Sequence, residues 1–159
     1  MASLVLTSAT VLTGTAWTGT APGPANPTVS GTISSSTDRT DHVRQVTFGP
    51  KTNMQDFTTM GDGGFFTQKP GLVQADLTVE FNQDFAASDV DAIFGAGLLA
   101  RTLFYLDIKP TSSARAATNP SYVVAAYVAE YPVLGNAVGD RAATTITFGV
   151  TGSFSRLTS

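Results

Sequence analysis

The sequence predicts a mainly β domain, a sandwich or barrel with one short flanking α-helix. Three observations carry that prediction. Residues 73–82 alternate strictly, with Val73, Ala75, Leu77, Val79 and Phe81 on one face and Gln74, Asp76, Thr78, Glu80 and Asn82 on the other. A period of two is the mark of a strand with one buried face. Strand-length runs elsewhere are punctuated by Gly and Pro, as in sandwiches and barrels. Only residues 88–98 carry apolar residues at helical spacing.

The elements follow in chain order. Residues 3–12 alternate apolar residues with Ser and Thr and read as a first strand rather than a signal peptide, having no basic start. Residues 13–40 are rich in Gly, Pro, Ser and Thr. Pro22, Pro24 and Pro27 cannot donate to a ladder, so this piece is expected to be an arm or long loop. Trp17 within it must be covered, by its own domain or by another subunit.

Residues 41–49 form a strand in which Val43 and the Val46/Phe48 pair lie on different faces or flank a bulge. Residues 50–71 have weak periodicity and are expected to be a long inter-strand loop. Met54, Phe57, Met60, Phe65 and Phe66 make it too apolar for solvent alone. It either docks on a partner or folds over the core as a β-hairpin turning at Asp62-Gly63.

After the 73–82 strand, Ser88 is placed as helix N-cap, with Asp89 and Asp91 favouring the positive helix end. Val90, Ile93, Phe94 and Leu98 form the apolar stripe. Gly95 and Gly97 each cost about 1 kcal/mol inside a helix, so its end is expected near Phe94. Residues 102–110, 121–132 and 141–158 supply the remaining strands, with loops at 111–120 and 133–140.

The 159 residues suit a single domain, 1–159, with a substantial core. Only 13% are charged, which fits a subunit whose faces are covered by neighbours. There are no cysteines, which removes thiol chemistry, disulfides and Cys-based metal sites. A net charge of −3 with scattered basic residues opposes a surface that grips nucleic acid. No apolar run has the length of a membrane span.

His42 is the only histidine. Asp38, Asp41 and Ser34–Ser36 lie near it only in sequence, without a nucleophile-elbow motif, so a strand-edge or interface histidine is the simpler reading. The GDGG run at 61–64 lacks the Lys-Ser/Thr of a phosphate loop and reads as a turn. No enzyme, cofactor or metal site is predicted. An exposed aromatic platform for ligand binding would have to be built from Trp17, Tyr122, Tyr127 and Tyr131.

The ordered segments DHVRQVTF, TTMGDGG, VEFNQDFAASDVDAIF, IKPTSSARAATNPSY and AEYPVLGNAVGDRAATTITFGVTGSFSR resemble the major tail proteins, or tail tube proteins, of long-tailed, non-contractile actinobacteriophages. The resemblance runs from about Asp41 to Arg156 and includes the opening strand; the stretch from Thr13 to Ser36 departs from it.

The resemblance implies a tail-tube-type fold, self-assembly into stacked hexameric rings, and a hollow tube conducting double-stranded DNA without specific binding. It implies other tail proteins at the tube ends, no membrane, a place in the virion tail and assembly in the host cytoplasm. The loop at 50–71 would reach the adjacent ring and the helix would be an architectural lid. Trp17, Met54, Phe57, Met60, Phe65 and Phe66 are then candidate inter-subunit contacts. Asp76, Glu80 and Asp84 are candidate lumen acids, a solvated outer face being the alternative. A head-decoration or minor tail protein, or a secreted ligand-binding sandwich, are the other readings.

Overall fold

The computed structural model describes residues 9–23, 29–63, 65–86, 88–134 and 141–158. Among these residues ten strands follow one another: β1 (Thr10–Gly14), β2 (Ala16–Thr18), β3 (Thr32–Ser34), β4 (Thr37–Asp38), β5 (Val43–Asp56), β6 (Gln68–Asn82), β7 (Leu103–Lys109), β8 (Ser121–Glu130), β9 (Ala143–Val150) and β10 (Ser155–Leu157). Between β6 and β7 a π-helical turn, Asp91–Gly95, runs directly into helix α1, Ala96–Ala100.

Eight strands form one antiparallel sheet in the order β4-β1-β7-β8-β9-β6-β5, and β10 takes over the edge of β8 where β9 leaves it. Strands β2 and β3 form a separate ribbon. Cross-strand partners share a face, so the register fixes which residues meet. Leu77 and Val79 of β6 pair with Phe148 and Ile146 of β9. Leu106 of β7 pairs with Val124 of β8. All six side chains are buried, and they form the interior together with Val11, Phe81 and Phe104.

The sheet curls strongly. Phe48 on β5 lies 5.8 Å from Tyr122 on β8 and 5.4 Å from Phe154, although two strands separate β5 from β8 in the sheet order. Bulges at Val43/Gln45 and Thr52/Met54 in β5, and at Val128/Glu130 in β8, add local bend and twist. The Val43/Gln45 bulge is the reason Val43 and Val46 both reach the core despite odd spacing.

The helical segment closes the interior. Phe94 is fully buried, with ring centroids 5.3 Å from Phe81, 5.4 Å from Phe104 and 5.6 Å from Phe148. Burying such a ring contributes about 1.5–3 kcal/mol, and aromatic pairs add about 0.5–1.5 kcal/mol each.

The segment does not end at Phe94. It continues through Gly95 and Gly97 because the core needs them: a Cβ on Gly97 would stand 2.5 Å from the Phe104 ring. Close packing on the sheet outweighs the helix-propensity cost of glycine. The Thr102 N–H then donates to the Gly97 carbonyl at 2.9 Å, and Arg101 adopts a left-handed φ of 54°, a Schellman-type ending.

Ser88 does not cap the helix. It sits at a φ of 69°, outside the cap geometry, and its carbonyl accepts from the Arg39 guanidinium at 2.9 Å. Asp91 does stand in the first turn of the helical segment, as expected, while Asp89 precedes it; both carboxylates also hold partners described below.

The expected arm at 13–40 contains β2, β3 and β4. Its ribbon lies against the outer face of β1 and β7, with the Trp17 ring 5.6 Å from Tyr105. Gly31, at φ 100°, makes the ribbon turn possible, since a Cβ there would meet the Thr18 carbonyl oxygen at 1.8 Å. The expected loop at 50–71 is strand over Pro50–Asp56 and from Gln68 onward, so its flanks form a hairpin, but not one folded over the core: Met54, Phe57, Met60, Phe65 and Phe66 are exposed. Of the expected first strand, Thr10–Leu12 belongs to β1, and residues 1–8 lie outside the described residues. So do residues 135–140 of the expected turn at 133–140.

Candidate assembly surfaces

Strands β5 and β6, 14 and 15 residues long, form a hairpin that outgrows the rest of the sheet. Strand β9 supports β6 only from Asp76 to Asn82, so among the described residues the distal hairpin has no third strand. A two-stranded ribbon in water is marginal unless its faces are covered. The distal hairpin exposes Met54, Phe57, Met60, Phe65, Phe66, Leu72 and Val73, with Met60 completely solvated and Phe65 78% exposed. Exposed apolar clusters of that size mark interaction surfaces.

Local chemistry shapes the tip without covering it. The Asp56 carboxylate accepts from the Thr58 hydroxyl at 2.6 Å and the Thr58 N–H at 2.8 Å, which holds its pKa below the usual aspartate value. The Phe57 N–H donates to the Thr67 carbonyl at 2.9 Å, closing the loop neck. Lys69 Nζ stands 5.0 Å from the Phe57 ring centroid, a cation–π contact.

Five of the six expected contact residues therefore sit together and outward on one hairpin. Trp17 does not join them. It is half-buried on Tyr105, and its Nε1 donates to the Ser30 carbonyl at 3.0 Å. Its own domain provides the cover. Leu72 and Val73 belong to the hairpin patch but escaped sequence reading, because alternation put Val73 on the core face; that face has no core beneath it so far along the strand.

The three expected lumen acids do not form a bare negative stripe. Asp76 pairs with Lys51 at 2.6 Å and Glu80 with Arg44 at 2.7 Å, both across the β5–β6 ladder. Asp84 lies beyond the strand end, where its carboxylate accepts from the Ala86 N–H at 2.8 Å. Cross-strand cations balance two of the three, a pairing that alternation within β6 alone could not reveal.

Other polar groups tie elements of the fold together. Arg39 is buried, and its guanidinium donates to Asp89 at 3.1 Å, while His42 Nε2 lies 3.3 Å from the same carboxylate. This ties the turn before β5 to the start of the helical segment. The Tyr131 hydroxyl donates to Asp91 at 2.8 Å and accepts from Gln83 at 2.6 Å. Burial, the leading cause, pushes its pKa up to about 12 despite the opposing Gln83 bond. Asp107 is buried, paired with Arg115 at 2.6 Å and hydrogen-bonded to the Ser121 hydroxyl.

Asn119 organises the 111–120 loop by donating to the Ser113 and Ala114 carbonyls at 2.9 and 3.2 Å. Among the described residues, no group of three His, Asp or Glu is placed to hold a metal, and no helix is long and apolar enough to cross a membrane. The four aromatics considered for a ligand platform do not converge. Tyr131 is buried, Tyr122 packs under Phe48, and Trp17 packs on Tyr105, while Tyr127 remains largely exposed.

Two solved structures share this architecture. The SPP1 tail tube, determined by solid-state NMR and cryo-EM, matches with a TM-score of 0.58 and 12% identity, over 96% of this chain and 77% of that chain. The fold is a tail-tube fold. A chain from the virion of a native gene transfer agent particle matches with a TM-score of 0.57 and 11% identity, over 72% of this chain and 84% of that one. No protein-family model and no curated protein matches the sequence.

Proposed function

We propose that the chain is a structural subunit of a phage tail tube that assembles with copies of itself into stacked hexameric rings. Other tail proteins would close the tube ends, and DNA would pass through the lumen without specific binding. The observation that carries this reading is the hairpin: a tail-tube fold matched over nearly the whole chain leaves its most apolar surface uncovered in a lone subunit.

Burying that surface against a neighbouring copy would remove several aromatic and aliphatic side chains from water, each contributing about 1.5–3 kcal/mol. Six copies at −3 would give a ring about −18 in charge, which disfavours retention of phosphate. The reading supports a place in the virion tail, and the actinobacteriophage assignment rests on the sequence resemblance. No catalytic role is part of it.

Negative-stain electron microscopy of concentrated protein tests the proposal. Hollow tubes with a regular axial repeat are expected. Monomers at every concentration, together with absence of the chain from virion tails, would overturn it.

A further inference from the structure

We propose that Met60 is an oxidation site through which a hydroperoxide keeps free subunits out of the assembly. The inference rests on the tube reading of the β5–β6 hairpin and adds a chemical control to it.

Of the three methionines in the chain, Met54 and Met60 both belong to this hairpin, and Met1 lies outside the described residues. Met60 opens a 3₁₀ turn, Met60–Asp62, at the hairpin tip. Hydrogen bonds hold the neck below it. The Phe57 N–H donates to the Thr67 carbonyl at 2.9 Å, and the Thr67 N–H donates to Thr58 Oγ1 at 3.0 Å. The Met60 side chain is fully solvated, whereas Met54, in the ladder opposite Pro70, is 46% exposed. The chain has no cysteine, so no thiol of its own competes for an oxidant.

The chemistry is a two-electron oxygen transfer that converts the thioether to a sulfoxide. The Met60 sulfur attacks one oxygen of hydrogen peroxide, and an S–O bond forms as the O–O bond breaks. The departing hydroxide takes the proton from the transferred oxygen and leaves as water. Sulfur is oxidised and peroxide reduced.

In the lone subunit the new oxygen stays hydrated, so folding is untouched. Phe57, Phe65 and Phe66 are exposed on the same tip. An interface closing over them would strip water from the sulfoxide without supplying a donor, which opposes burial. The modification is silent in folding and felt in assembly.

Brief hydrogen peroxide treatment of dilute protein, quenched with catalase and mapped by peptide mass spectrometry, tests the site. Met60 is expected to oxidise at least threefold faster than Met54, with the unfolding midpoint of the treated protein unchanged. The partly oxidised mixture is then concentrated, and pelleted tubes are separated from soluble subunits. Met60 sulfoxide is expected to be at least tenfold depleted in the tubes. Methionine sulfoxide reductases of both stereospecificities are expected to return the soluble pool to assembly.

Equal Met60 sulfoxide content in tubes and supernatant would overturn the inference alone. So would Met54 oxidising as fast as Met60, a lowered unfolding midpoint, or failure of the reductases to restore assembly. Untreated protein that forms no tubes would overturn the proposed function, and the assembly effect with it.

Discussion

Gly97 and Tyr131 show how single residues join the helical segment to the sheet. Gly97 leaves room for the Phe104 ring, which a methyl group would enter at 2.5 Å. Gly97→Ala gains helix propensity yet is expected to lose about 1–3 kcal/mol of stability through overpacking, measured by urea denaturation. Tyr131 makes the opposite kind of contact, a buried hydroxyl with both hydrogen-bonding capacities used. Its folded-state pKa is raised to about 12, so this contribution is fully present below the unfolded tyrosine pKa of about 10. As pH rises from about 10 to 12 the unfolded chain loses its phenolic proton first, and stability falls by up to about 2–3 kcal/mol. Tyr131→Phe is expected to cost about 1–2 kcal/mol at neutral pH and to flatten that alkaline decline in pH-dependent denaturation curves.

At the scale of elements, the β5–β6 hairpin divides into two parts with different duties. Its proximal half is held by β9 and carries Leu77, Val79 and Phe81 into the core. Its distal half makes no third-strand pairing among the described residues and exposes its aromatics. Serine substitutions at Met60, Phe65 and Phe66 are therefore expected to leave the stability within about 0.5 kcal/mol of the parent, since these side chains are mostly exposed in the lone subunit. The same variant is expected to remain unassembled under conditions in which the parent forms tubes. Normal tubes seen by microscopy would remove the hairpin from the assembly interface. The Phe94 segment behaves differently, as a plug for the curled sheet: Phe94→Ala empties a fully buried site among three rings and is expected to cost about 3–5 kcal/mol.

For the whole molecule, the curl of the sheet decides what is inside, and the charge distribution bears on what an assembly could conduct. The Arg44–Glu80 and Lys51–Asp76 pairs are partly exposed, so each contributes no more than about 1 kcal/mol to folding. Reversing Asp76 and Glu80 to Lys would place four cations together on the outer β5–β6 face. If that face lines a lumen, genome ejection from particles carrying the variant is expected to slow, measured by the rate of DNA release at fixed ionic strength. An unchanged rate would place the face on the tube exterior. Particle assembly serves as the control for folding.

Local pattern in the sequence determined most strands of the central sheet, though not β4 or the distal halves of β5 and β6, because alternation reports which face is buried without reference to partners. Leu77, Val79, Phe81, Ile146, Phe148, Phe104 and Leu106 were legible in that way, as was the apolar oddity of Met54 to Phe66. Only the tertiary structure decided where the helical segment ends, since the Phe104 ring that demands Gly97 comes from a later strand. It also decided that Asp76 and Glu80 face Lys51 and Arg44, that Trp17 is covered by Tyr105, that Ser88 does not cap the helix, and that Asp89 and Asp91 pair with Arg39 and Tyr131. Each of those outcomes depends on contacts between residues far apart in the chain, and a local pattern carries no information about which distant side chain will arrive beside it.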